Sequence, residues 1–269
     1  MQRTIKILDI LSSNKRISIK NLAELLAVSK ATLRKDLIKL EKRGIVHLSH
    51  GCVSLEGADN TGKRIAFNYL IKRKIAKLAA QIVEDDETIM IESGSCCALF
   101  AEELVFTKKN ITIITNSVFI TNYLSKYKQI KIILLGGFFQ QESQMLIGPM
   151  TIKHSENLYF NKFFLGTNGY NSEQGFTGID HLCTEAASEL ANRAKNIFIL
   201  TESTKFNNRG AYNLIQHDKL TGVFTDDHIP EKDEAILIQN NVQVYKVPSK
   251  DEKIRLCKLP GLPPFIYKE

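Results

Sequence analysis

The chain of 269 residues lacks a long apolar run: its longest, Ile132 to Phe139, has eight residues and contains two glycines. A membrane-spanning helix needs about 20 apolar residues, so no such helix is expected. The first fifteen residues place Arg3, Lys6 and Asp9 among apolar positions, which leaves no signal-peptide core. We therefore expect a cytoplasmic protein with no membrane partner.

Cysteine is also scarce. The chain has five cysteines, an odd number without a repeated spacing, at positions 52, 96, 97, 183 and 257. A disulfide framework uses an even set in a short secreted chain, so reduced thiols are expected. Neither Cys96-Cys97 nor His181-x-Cys183 is accompanied by a second Cys or His pair at ligand spacing. We therefore expect no metal site and no cofactor.

No compositional bias marks the chain, which is 43% hydrophobic and 24% charged. This excludes a disordered, collagen-like or low-complexity protein, and the length favours one large or two unequal domains.

Positive charge is unevenly placed along the chain. Residues 1–55 hold eleven Lys or Arg and four Asp or Glu, an excess equal to the net charge of +7 of the whole chain. A small basic unit on a neutral body suits binding of a polyanion.

The basic segment has the periodicity of three short helices. Apolar residues repeat at helical spacing over residues 2–12, and Ser18 and Ser29 can cap the two helices that follow. The third helix is predicted at residues 30–43 and ends at Gly44. Two short helices joined by a tight turn indicate a helix-turn-helix, whose second helix enters the major groove of DNA.

The third helix carries the candidate DNA contacts, and a hairpin follows it. Leu33, Leu37 and Leu40 form its inward face. Lys and Arg on the opposite face can reach base edges and phosphates. The residues left outside are Lys30, Thr32, Arg34, Lys35 and Lys39. Two β-prone runs, 45–48 and 52–55, indicate a wing. A helical protein-interaction module is the alternative, but charge confined to this unit favours phosphate neutralisation.

This segment resembles the recognition segment of DeoR-type bacterial regulators. Val28-Ser-Lys-Ala-Thr-Leu-Arg-Lys-Asp-Leu37 and Leu40-Glu-Lys-Arg-Gly44 follow the family pattern of Val-Ser-x-x-Thr-(Ile/Leu)-Arg-(Arg/Lys)-Asp-Leu, then Leu-Glu-x-x-Gly. The wing departs from the pattern at Leu48, where the family has Arg, and at Cys52, where it has a second glycine. The resemblance implies base and phosphate contacts from Ser29, Lys30, Thr32, Arg34 and Lys35. With Lys39 and with His50 of the wing, these are the predicted DNA-binding residues.

The body alternates strands with helices. Small and polar residues predict a linker at 56–70, and a helix is predicted at 71–82. Strands are predicted at 88–92, 111–115, 130–135, 163–166, 197–201, 223–225 and 242–247, with helices at 98–104, 118–124 and 184–194. Such alternation indicates a mostly parallel sheet covered on both faces. We therefore predict a winged helix-turn-helix at 1–55 followed by a larger α/β sensor domain at 71–269.

Ligands of such sheets bind at the carboxyl ends of the strands, beside helix N-termini. Three predicted strand ends carry small polar residues, whose backbone N–H groups and hydroxyls can approach a phosphate. Lys205, after a later strand, can supply a cation. The predicted effector-binding residues are Gly94, Ser95, Cys96, Thr115, Asn116, Ser117, Gly136, Gly137 and Lys205. Together they indicate a small anionic ligand.

The DeoR resemblance continues through the body. It is carried by Glu92-Ser-Gly-Ser-Cys96, Thr115-Asn-Ser117, Gly136-Gly137, Phe164-Leu-Gly-Thr-Asn-Gly169, Glu202-Ser-Thr-Lys-Phe206 and Thr225-Asp226. It implies the fold of ribose-phosphate isomerase and glucosamine-phosphate deaminase, used as a sensor of phosphorylated sugars. The chain departs from the family at Cys96, which replaces a hydroxyl, and at Glu189-Leu190, which replaces a basic pair.

Two functions fit these observations. The first is a transcriptional regulator without enzymatic activity, a repressor of a carbohydrate operon that binds double-stranded operator DNA and a sugar-phosphate effector as a homodimer or homotetramer. The alternative is a sugar-phosphate isomerase or deaminase with an accessory head, in which Asp226 and Glu185 are candidate acid–base carboxylates. Prolines near the C-terminus predict an extended tail whose Leu262, Phe265 and Ile266 pack on the body or a neighbouring subunit.

Overall fold

The computed structural model describes residues 2–14, 16–55 and 61–249. The predicted C-terminal tail and Cys257 lie outside these ranges. Three helices and three strands form the N-terminal head: α1 (Gln2–Ser13), β1 (Ile17–Ser18), α2 (Ile19–Leu25), α3 (Lys30–Glu41), β2 (Val46–Ser49) and β3 (Cys52–Leu55). The strands pair antiparallel in the order β1-β3-β2, so the predicted wing gains a third strand.

Local side chains fix where the head's helices begin and end. The Ser18 hydroxyl accepts the N–H of Asn21 at 3.0 Å, and the Ser29 hydroxyl accepts the N–H of Thr32 at 3.1 Å. Each bond satisfies a backbone donor that a helix start leaves without a partner. After α3 the chain turns at Gly44, whose φ of +66° favours glycine. The helix-turn-helix therefore forms as its sequence predicts.

The body is built on a parallel sheet. Its first half contains α4 (Thr61–Ala66), α5 (Tyr69–Ala79), β4 (Thr88–Ile91), α6 (Ser95–Thr107), β5 (Thr112–Thr115), α7 (Val118–Leu124), β6 (Lys131–Leu134), β7 (Phe138–Gln140), β8 (Met145–Ile147) and α8 (Pro149–Ser155). Its second half contains β9 (Lys162–Leu165), β10 (Gly169–Asn171), β11 (Gly175–Gly178), α9 (His181–Ala191), β12 (Asn196–Leu200), β13 (Tyr212–Ile215), β14 (Gly222–Asp226), α10 (Glu231–Gln239) and β15 (Gln243–Val247).

Seven of these strands form one sheet in the order β15-β14-β12-β9-β4-β5-β6, and every neighbouring pair is parallel. The predicted α/β fold is therefore confirmed. Two small antiparallel sheets, β7-β8 and β10-β11-β13, were not predicted. Among the described residues, no helix has the length and apolar character needed to cross a membrane.

The linker prediction needs correction at residues 61–70. This stretch forms α4 and the start of α5, and Ile65, Ala66 and Tyr69 are buried in the main hydrophobic core. Residues 56–60 lie outside the described ranges. Small and polar composition suggested a linker, but Ile65 and Ala66 bury one face of α4, and Tyr69 is buried at the start of α5.

A row of aromatic rings forms the centre of the body's core. Phe164, Phe198, Phe224 and Tyr245 stand on neighbouring strands from β9 to β15. Successive ring centroids lie 5.2, 6.0 and 4.4 Å apart. Phe100 of α6 packs on this row, with its ring 4.4 Å from Phe164. The same hydrophobic cluster includes the buried leucines of the head, so head and body share one continuous core.

We expect Phe164→Ala to lower the free energy of unfolding by about 3–5 kcal/mol, because it leaves a cavity between the sheet and α6. Urea denaturation measures the effect. Phe138→Ala is the matched control, since Phe138 is 72% exposed, and its expected cost is below about 1 kcal/mol. Equal losses in the two variants would show that the aromatic row does not organise this core.

Candidate functional site

Helix α3 separates an apolar face from a cationic face. Leu33, Leu37 and Leu40 are buried in the head. The basic residues predicted to contact DNA are all exposed, namely Lys30, Arg34, Lys35 and Lys39. Arg3 of α1 forms an ion pair with Asp36 at 2.5 Å, which links α1 to α3. The cationic face of α3 is therefore open to an external partner.

The other predicted contact residues also serve the fold of the head. Ser29 caps α3, and its hydroxyl lies 2.9 Å from the hydroxyl of Thr32. His50 is exposed at the wing turn, with its Nδ1 2.7 Å from the Ser49 hydroxyl. Arg16, which the sequence reasoning did not single out, is exposed and donates to the Ser49 carbonyl at 3.3 Å. The wing turn therefore carries an additional cation beside His50.

A cavity of about 840 Å³ opens at the carboxyl ends of β4, β9 and β12. Four of the predicted effector-binding residues line it, namely Gly94, Ser95, Cys96 and Lys205. The first three lie at the N-terminus of α6, whose N-cap residue is Gly94, so no N-cap side chain bonds the first N–H groups of the helix. Because a helix N-terminus carries partial positive charge and unpaired N–H groups, this end of the cavity favours an anion.

The five other predicted residues do not line the cavity. The turn into the β7-β8 hairpin and the hairpin itself occupy the ends of β5 and β6, where Leu146 N–H donates to the Asn116 carbonyl at 2.7 Å. The Asn116 amide donates to the Leu146 carbonyl at 3.1 Å, and the Ser117 hydroxyl caps α7. The Thr115 hydroxyl accepts the N–H of Ser117 at 3.0 Å, and the Gly136 N–H donates to His154 of α8 at 3.0 Å. Gly137 leaves no room for a side chain beside Thr151 of α8. Asn116 therefore holds the hairpin, and the hydrogen bonds of Thr115, Ser117 and Gly136 are made to their own turn, to α7 and to α8.

Two cations from outside the predicted set also line the cavity: Arg64, on α4, and Lys72, on α5. Lys72 is only 3% exposed, donates to the Arg64 carbonyl at 2.5 Å and lies 3.5 Å from Glu202. Burial lowers the pKa of the Lys72 ammonium, and Glu202 partly opposes that change. Lys205 also lowers this pKa, so Lys72 and Lys205 are close enough for their charges to repel.

Burial also changes the acids and thiols of the cavity. It raises the pKa of the Glu92 carboxyl to about 8, although a backbone hydrogen bond from Gly166 and the charge of Arg64 oppose the change. It raises the pKa of the Cys96 thiol to about 12. Both groups therefore favour their neutral forms at pH 7. Of the two buried carboxyls in the lining, only Glu202, which lies 3.5 Å from Lys72, then offsets the positive charge of Lys72 and Lys205.

The substituted pair Glu189-Leu190 does not reach the cavity. Glu189 is exposed, Leu190 is buried, and neither lines the cavity. The candidate acid–base residues Glu185 and Asp226 do not line it either. Glu185 is exposed, and buried Asp226 accepts the N–H and hydroxyl of Ser203, each at 2.7 Å. Among the described residues, Asp226, Asp227 and His228 form the one group of acidic, His or Cys side chains close enough together to hold a metal ion.

Comparison with known families covers both parts of the chain. A DeoR-like helix-turn-helix domain model matches residues 3–57, and a model of the DeoR C-terminal sensor domain matches residues 68–227. Among solved structures, ribose 5-phosphate isomerase A from Methanocaldococcus jannaschii is similar at 19% identity and a TM-score of 0.37, over 52% of this chain and 55% of that one. At that level the similarity decides nothing about this chain.

Similar curated proteins are named as regulators. The HTH-type transcriptional regulator GolR of Listeria innocua is 29% identical over 85% of this chain and 91% of its own length. The HTH-type transcriptional repressor GlcR of Bacillus subtilis is 26% identical over 93% and 97%. The L-fucose operon activator of Escherichia coli is 26% identical over 82% and 93%. These names support a transcriptional regulator and not the isomerase or deaminase alternative. Because the sensor-domain model alone matches more than half of the residues, the chain belongs to the DeoR family of transcriptional regulators.

Proposed function

We propose that this regulator represses a carbohydrate-metabolism operon, binding operator DNA through α3 and a phosphorylated sugar in the cavity at the end of α6. The Bacillus subtilis relative is named a repressor, and the Escherichia coli relative is named an activator. A reporter gene placed behind a bound operator distinguishes the two, since deletion of a repressor raises expression.

The exposed cationic face of α3 is the observation that carries the DNA-binding proposal. Lys30, Arg34 and Lys35 lie in the first half of α3, as expected for side chains that meet base edges and phosphates. A single head makes few contacts. We therefore propose at least a homodimer, in which two heads on half-sites about one helical turn apart multiply the affinity of one.

The chemistry of the cavity supports a sugar phosphate. Lys72, Lys205 and the N-terminus of α6 supply positive charge and N–H donors for a phosphate. Glu202 supplies the complementary feature: its buried Oε2 lies 3.5 Å from the Lys72 ammonium and accepts no closer hydrogen bond from the described residues. A sugar hydroxyl can donate to that oxygen. An anion with hydroxyl groups therefore matches the cavity better than a bare phosphate or an apolar metabolite.

Arg34→Ala should weaken binding to a duplex selected by the wild-type protein from a randomised pool by at least about tenfold, within the 1–3 kcal/mol of a base contact. Gel retardation measures this. The cavity lies in the body, so the thermal shift with ribose 5-phosphate or glucose 6-phosphate should remain. Lys232→Ala removes one exposed positive charge from α10 as the control. Equal affinities in the two variants would argue against a DNA-reading α3.

Lys205→Ala should reduce or abolish the thermal shift produced by the same sugar phosphates, because it removes a cation from the cavity. Its affinity for DNA in the absence of sugar phosphate should stay within about twofold of wild type. Arg209→Ala is the control, since Arg209 is exposed, close in sequence and outside the cavity lining. The proposed phosphate position is wrong if the sugar phosphates raise the melting temperature of Lys205→Ala as much as that of Arg209→Ala.

Glu92→Gln should change how stability depends on pH. The folded chain keeps the Glu92 proton up to about pH 8, and the unfolded chain releases it near pH 4.5, so folding stability falls as pH rises between these values. Glutamine cannot lose a proton. The variant should therefore gain about 1–4 kcal/mol over wild type between about pH 5 and pH 8.5, measured by urea denaturation.

The exposed rim residue Glu142 supplies the control for this pH experiment. Glu142→Gln removes a carboxylate from the same cavity without removing a buried one, so its stability should follow the wild-type pH profile. If Glu92→Gln also follows that profile, the Glu92 carboxyl does not hold its proton in the folded chain.

A further inference from the structure

The end of helix α3 is held by the body as well as by the head, where Leu48 N–H donates to Glu41 at 2.8 Å. Arg43 lies two residues after the end of α3, and its side chain is 14% exposed. Its Nη2 donates to Glu102 of α6 at 2.6 Å, and its Nε donates to the hydroxyl of Tyr123 on α7 at 3.0 Å. The guanidinium carbon also lies 5.1 Å from the centre of the Tyr123 ring. One arginine therefore fixes α3 against two helices of the body.

Glu102 is the centre of this contact. Its side chain is 5% exposed and receives hydroxyl bonds from Tyr123 at 3.0 Å and Tyr127 at 3.3 Å. Arg73 of α5 lies 3.6 Å from the same carboxylate. The body can therefore partly neutralise Glu102 by itself. Arg43 is the head's contribution to this cluster, so the contact can open without leaving the carboxylate without a cation.

Helix α6 links this contact to the cavity. Ser95, at its first position, lines the cavity, and Glu102 lies seven residues later. Seven residues are almost two full turns, so the two side chains share one face of the helix about 10 Å apart. The helix is packed along its whole length, since most of its residues from Cys96 to Val105 are buried. A displacement at one end is therefore carried to the other, because a packed helix moves as a unit.

We propose that Glu102 is a positioning residue that transmits effector binding to the recognition helix. An anion drawn to the N-terminus of α6 shifts this helix, the shift moves the carboxylate of Glu102, and the pair with Arg43 changes the angle at which α3 meets DNA. This inference rests on the proposed function, since it needs both a DNA-binding head and an effector-binding cavity. It adds the residues through which the two sites communicate.

The test compares the affinity for the selected duplex with and without ribose 5-phosphate or glucose 6-phosphate, at equal ionic strength. The ratio of the two dissociation constants measures the coupling, and for wild type it should differ from one by about fivefold or more. In Glu102→Gln the ratio should fall to within about twofold of one. The thermal shift with each sugar phosphate should remain, because the cavity is unchanged.

The matched control is Glu103→Gln, which removes the neighbouring carboxylate of α6. Glu103 lies 3.4 Å from Arg73, a residue of the body, so the control should keep the wild-type ratio. Tyr123→Phe removes a single hydroxyl that bonds both Arg43 and Glu102. It should bring the ratio closer to one with little effect on folding, which keeps the test decisive if Glu102→Gln does not fold.

The outcomes separate this proposal from the one on which it rests. Wild-type ratios in both Glu102→Gln and Tyr123→Phe, or a loss of coupling in Glu103→Gln equal to theirs, overturn the relay and leave DNA and effector binding standing. A wild-type ratio of one with both ligands bound overturns it as well. Failure of the wild-type protein to bind any duplex, or either sugar phosphate, overturns the proposed function and the relay with it.

Discussion

Helix α6 is apolar on nearly every side, and the structure depends on covering all of those sides at once. Nine of its 13 residues are buried. The sheet covers one side through Phe164, and α5 runs along another. The head supplies further cover where Arg43 reaches Glu102 and Gly44 faces Phe119 of α7. Since one hydrophobic cluster runs through head and body, α3 and α6 belong to the same continuous core.

The recognition helix could be predicted from the sequence because its signals are local. Ser29 bonds a backbone N–H three residues away, the leucines repeat within one helix, and Gly44 adopts its turn without help from distant residues. The rule that ligands meet parallel strands at their carboxyl ends also placed Gly94 and Lys205 in the lining of the cavity. Both predictions rest on interactions that span few residues or on a property shared by all parallel sheets.

The rest of the candidate site depends on contacts between distant residues. Lys72 has the spacing of an ordinary residue on the surface of α5, and its burial comes from packing against Glu202, far along the chain. The β7-β8 hairpin has strands of three residues with Phe138 and Phe139 exposed, so it lacks the alternation that marks a strand. Since that hairpin closes the end of β5, the sequence could not show that Asn116 lies outside the cavity.

The charges of the cavity give the proposed relay its source of free energy. Burial works against the charge on Lys72, Lys205 repels it, and the nearby Glu202 offsets only part of this cost. An anion relieves both effects, and it does so best when the N-terminus of α6 is close enough to contribute its own positive end. A ligand shifts an equilibrium only by the difference in its affinity for two states. The affinity for the anion can depend on the position of α6. The position of α6 also sets where Glu102 meets Arg43.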